Sequence, residues 1–127
     1  MSSHPPRPRA KPDPETVLTK AVLRAAAQLG MTSRALAAVI GVSEATVSRM
    51  RAGDYALQRQ HKAFELGVLF VRFYRSLDSL LGGDDAVARA WLANRNTALA
   101  DTPIALIQTV PGLMNVIAYL DARRAVL

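Results

Sequence analysis

The stretch from Ser33 to Gly53 constrains the fold more than any other, because it reads as two short helices joined by one tight turn. Thr32 and Ser33 are placed to cap the first helix, whose apolar residues Leu36, Ala37, Val39 and Ile40 fall on one side at helical spacing. Gly41 ends it, since a glycine takes the left-handed conformation that a sharp turn between helices demands. Val42 plugs the corner. Ser43 then caps a second helix over Glu44 to Ala52, with Val47 and Met50 turned to the core and Gly53 closing it. A helical hairpin inside an ordinary α-helical core is the plain alternative to a helix-turn-helix.

The residues left facing outward on the second helix bear on function. Ser43, Glu44, Ala45, Ser48 and Arg49 share the free face at its N-terminal end, the end that reaches base edges in a major groove. Small side chains at Ala45 and Ser48 permit close approach, and the Arg49 fork suits a guanine edge. Thr46 completes this set on the same helix. Ser33 and Arg34 at the start of the first helix, and Arg51 near the end of the second, are further DNA-binding candidates; each arginine is either a phosphate contact or a solvated charge. The run Ala37, Gly41, Val42, Ser43, Thr46, Val47, Ser48, Arg49 resembles the Cro and Xre class of helix-turn-helix in residue type and spacing.

Composition is informative once the chain is divided. The net charge of +6 sits entirely in residues 1–62, which hold ten Lys or Arg against four Asp or Glu, while residues 63–127 hold six of each. A polyanion partner for the first half and a different kind of partner for the second is the simplest physical reading. With 127 residues, half of them apolar, burial of a core is assured. The absence of cysteine excludes disulfides and thiolate metal sites. No apolar run has signal-peptide or bilayer-spanning length, so the expectation is a cytoplasmic protein with no membrane contact.

In chain order, residues 1–12 are proline-rich and basic and read as a disordered arm; Arg7, Arg9 and Lys11 there either follow DNA or only solubilise. Residues 13–59 read as the helix-turn-helix domain. Its first helix starts at the Asp13-Pro14-Glu15 cap, runs to Leu29 and stops at Gly30, with Val17, Leu18, Val22, Ala25, Ala26 and Leu29 packing on the hairpin. Residues 60–83 read as a long helix from about Gln60 to Leu81, ended by Gly82 and Gly83. Phe64, Val68 and Val71 line one side of it and Leu66, Phe70, Phe73, Leu77 and Leu80 another, so it is either the centre of one core or a core helix with a second face for a homodimer.

Residues 84–127 read as a small helical domain. Asp84 or Asp85 starts a helix carrying Val87, Ala88, Trp91 and Leu92; Asn94 to Asp101 is a loop; Thr102 caps a short helix opened by Pro103. Thr109, Pro111 and Gly112 mark a turn before a last helix with Leu113, Val116, Ile117 and Leu120 at i, i+3, i+4 and i+7, and with Arg123 and Arg124 at its negative end. The fold class expected is all-α throughout.

Trp91, Leu92, Asn96, Leu99, Pro103, Ile104, Leu106, Ile107, Thr109, Gly112, Val116, Tyr119, Leu120, Asp121 and Arg124 resemble the C-terminal toxin-binding domain of the MbcA/ParS/Xre antitoxins. The resemblance implies an antitoxin paired with a RES-domain toxin, an NAD-degrading enzyme whose active site the antitoxin blocks while the complex binds operator DNA and represses its own operon. It places the blockade at the C-terminal end, on Tyr119, Arg123, Arg124 and Leu127. By size alone, Trp91, Asn96 and Tyr119 read as core and loop-locking residues. A homodimer within a toxin–antitoxin hetero-oligomer is the assembly implied. A helix-turn-helix repressor whose second domain dimerises or senses a ligand, with no toxin partner, is the competing class. An enzyme is not expected: His4 lies in the tail, His61 starts a helix, and no metal-ligand cluster or phosphate loop is present, so no catalytic residue, metal, cofactor or small-molecule substrate is assigned.

Overall fold

A computed structural model describes residues 13–125 and places seven helices there: α1 (Pro14–Gln28), α2 (Ser33–Ile40), α3 (Glu44–Ala52), α4 (Lys62–Leu80), α5 (Asp85–Ala93), α6 (Pro103–Leu106) and α7 (Val110–Arg124). The only β pairing among the described residues is a single bridge, Asn96 to Asp101, so the fold is all-α. The arm at residues 1–12 lies outside the described residues, as does Leu127.

Local chemistry sets the helix ends. Asp13, Thr32, Ser43 and Asp84 each accept a backbone N–H with the side chain, relieving unpaired donors in the first turns of α1, α2, α3 and α5. Gly41 closes α2 at φ 72°, and the N–H groups of Gly41 and Val42 both donate to the Ala37 carbonyl, which turns the chain into α3.

α4 is the shared wall of the molecule, packing against α1 and α2 on the N-terminal side and α5 and α7 on the other. Phe70, Phe73 and Leu77 are fully buried along it, with the Phe73 ring 6.2 Å from Phe70 and 6.4 Å from the half-buried Trp91. One continuous apolar core runs from Val22, Leu36, Ile40 and Val47 through these rings to Ile107, Leu113, Val116 and Leu120. The side of α4 that carries Phe70, Phe73 and Leu77 is thus buried within one chain, whereas Val68 on its other apolar side is 46% exposed.

Polar groups cross-link the layers. The Thr19 hydroxyl, buried on α1, donates to the Glu15 carbonyl at 2.7 Å and accepts from the Leu57 N–H at 2.9 Å, fixing the segment after α3 against α1. Arg89 of α5 donates from Nε to the Gln28 carbonyl (2.8 Å) and from Nη2 to the Ala27 carbonyl (3.3 Å), so a cation meets the negative end of α1. Asn96 Oδ1 accepts from the Leu99 N–H, which locks the loop as its composition suggests.

Several expectations are corrected. Pro111 and Gly112 do not form a turn before α7: they are in its first turn, because Thr109 is the cap and its hydroxyl accepts from the Gly112 N–H at 3.1 Å. Gly112 is there for room, since a Cβ would collide with the Leu106 backbone carbonyl of α6. The Thr102 side chain makes no capping bond; instead Asp101 Oδ1 accepts from the Thr102 N–H. α4 starts at Lys62, two residues later than expected, since Gln58 to His61 form a turn. Val17 is 50% exposed and does not pack on the hairpin, because no helix covers that side of α1.

Candidate nucleic-acid interface and toxin-binding end

The outer face of α3 is built from one capping unit. Ser43 Oγ accepts from the Thr46 N–H at 3.0 Å and lies 2.9 Å from Thr46 Oγ1, and that same Oγ1 accepts from Arg49 Nη2 at 3.2 Å. The guanidinium carbon of Arg49 stands 5.6 Å from the centre of the Tyr55 ring. Ser43, Thr46 and Arg49 therefore act together, with Thr46 half-buried beneath the arginine. Glu44, Ala45, Ser48 and Arg51 are exposed around them, while Val47 and Met50 face the core.

On α2, Arg34 is exposed and Ser33 is half-buried as the first helical residue after the Thr32 cap; neither hydrogen-bonds to the α3 set. Tyr55 is the participant that sequence reasoning missed. An aromatic in the polar linker just after the second helix of the helix-turn-helix was the available signal.

At the other end, Arg123 and Arg124 have separate environments. Arg123 reaches back one turn over the half-buried Tyr119, with its guanidinium carbon 5.0 Å from the ring centre. Arg124 turns toward α4, where Nη1 donates to Ser76 Oγ at 3.1 Å and stands 3.7 Å from Asp121 Oδ1. The buried Ser76 hydroxyl donates to Asp121 Oδ1 at 3.1 Å, and Arg72 Nη2 meets Asp121 Oδ2 at 2.8 Å. Four side chains from α4 and α7 thus form one network.

Nearby on α4, burial foremost, then the charges of Asp78 and Asp85, raise the pKa of the Tyr74 phenol above its ordinary value, while Arg24 acts in the opposite sense. The phenol is a neutral group near pH 7. Among the described residues, no three His, Asp or Glu side chains are placed to share a metal ion.

Residues 8–72 match the Antitoxin Xre-like helix-turn-helix domain, and residues 76–125 match the Antitoxin Xre/MbcA/ParS C-terminal toxin-binding domain. The chain belongs to the Xre antitoxin family. The two matched segments of this antitoxin abut on α4, and the Arg72–Asp121–Ser76–Arg124 network ties the last residue of the first match and the first of the second to α7. The antitoxin is also similar in fold to a chain of the M. tuberculosis MbcT–MbcA toxin–antitoxin complex, with a TM-score of 0.65 at 23% identity over 84% of this chain and 93% of that one. No curated protein sequence matches the chain. No helix among the described residues is long and apolar enough to cross a membrane.

Proposed function

We propose that this antitoxin neutralises a RES-domain, NAD-degrading toxin by blocking its active site, and that it represses its own operon by presenting α3 to the major groove of operator DNA as a homodimer. The observation that carries the reading is the coexistence in one chain of a helix-turn-helix domain and a toxin-binding domain, with a polar capped face on the first and a cationic last turn on the second.

On the DNA side, Ser43, Glu44, Ala45, Thr46, Ser48 and Arg49 approach base edges, and Ser33, Arg34 and Arg51 meet the backbone. Two-fold pairing of the protein matches two half-sites. On the toxin side, the last turn of α7 closes the substrate entrance: Arg123 stacked on Tyr119 offers a restrained fork for a carboxylate, and Arg124 and Leu127 are the further contacts assigned to the toxin.

Deletion of residues 123–127 separates the two activities. The truncated protein is expected to lose rescue of cells that express the RES toxin while it keeps operator binding, which also reports that it is folded. Rescue by the truncated protein would move the blockade elsewhere, and failure of the intact protein to rescue would end the toxin reading.

A further inference from the structure

A groove with a volume of about 830 Å³ runs between α1 and α7 across α4. Its floor is apolar, formed by Val17, Val68 and Val71 among others, and two of these are widely open to solvent, Val17 at 50% and Val68 at 46%. Its rim is cationic. Arg72, Arg75 and Arg124 stand around it, and its one carboxylate, Asp121, is already paired with Arg72 and Arg124. A second, smaller groove of about 490 Å³ shares Ala21, Val71 and Arg75 with the first and adds Lys20, Arg24 and Asp78, so the whole face carries five cations against two carboxylates.

Resting on the toxin-neutralising role above, we infer that this groove receives an apolar segment of the toxin flanked by acidic residues, as a second point of attachment beside the last turn of α7. Charge complementarity selects the occupant. Uncovered valines ask for an apolar ridge, and Arg75, which no carboxylate pairs among the described residues, asks for an acid next to it. A second copy of the same face would set a net charge of +3 against +3, which opposes pairing. Continuity places the groove with the candidate toxin contacts: Arg124 at the end of α7 and Ala125, which caps it, form one of its edges. A helix with apolar residues at i, i+3 or i+4 and Asp or Glu beside them has the required form.

The test measures affinity of the intact protein for the purified RES-domain toxin proposed as its partner. Val68→Glu and Arg75→Glu, both at exposed positions where folding tolerates charge, are each expected to weaken binding at least about ten-fold, the scale of a buried anchor or a charge pair at an interface. Arg75→Lys keeps the cation and is expected to bind within about three-fold of the unaltered protein. Val87→Glu, on an exposed position of α5, serves as the control and is expected to leave affinity unchanged. If the unaltered protein binds and both glutamate variants bind equally well, the groove proposal fails while the neutralising role stands. If the unaltered protein does not bind at all, both fail. Retained toxin affinity with a shift of Val68→Glu to a smaller sedimenting species would assign the face to self-association and overturn the proposal. Retained toxin affinity with weaker DNA binding by Arg75→Glu would assign it to nucleic acid, with the same result.

Discussion

Arg49 stands on the outer face of α3 already restrained, because Thr46 Oγ1 accepts from its Nη2 and the Tyr55 ring lies beneath its guanidinium. A free arginine side chain carries about 2 kcal/mol of rotamer entropy, and any part lost in advance is not lost again on binding. If Arg49 makes a bidentate contact with a base, Arg49→Ala is expected to weaken operator affinity by about 1–3 kcal/mol. Tyr55→Leu, which removes only the stacking partner, is expected to weaken it by about 0.5–1 kcal/mol. Titration of labelled operator DNA at fixed salt checks both, and unchanged affinity for Arg49→Ala would remove it from the interface. The position of Arg49 on the outer face was legible from helical spacing. The role of Tyr55 was not, since it depends on how the linker folds back, which spacing along a helix does not encode.

Helix ends were the most legible elements, and for a local reason: Asp13, Thr32, Ser43 and Asp84 each act on N–H groups two or three residues away. Where the cause was tertiary, the sequence misled. The Pro111-Gly112 pair has turn composition, yet the glycine serves the passage of the Leu106 carbonyl against α7. Val17 has core periodicity, yet no element covers it. Thr19 sits on α1 among apolar neighbours with nothing local to mark its bond to the Leu57 N–H, thirty-eight residues away. Thr19→Val keeps the shape and leaves that buried donor unpaired, so it is expected to destabilise the fold by about 1–3 kcal/mol. Denaturant unfolding monitored by helical circular dichroism measures this, and an unchanged midpoint would show that the segment after α3 is held by packing alone.

At the scale of the whole molecule, the excess positive charge lies in residues 1–62 while the rest is neutral, and α4 joins the two parts into one core. Under the proposed function, this shared core lets one chain address a polyanion and a protein at once. The family assignment confirms a helix-turn-helix unit and a toxin-binding unit, both of which residue patterns had indicated. The groove over α4 was visible only in part, as a second apolar side of that helix whose covering the sequence left undecided. The most direct test of the account is NAD consumption by the purified RES-domain toxin titrated with the intact antitoxin. The account predicts that consumption falls to background near the stoichiometry of the complex; undiminished consumption at excess antitoxin would contradict it.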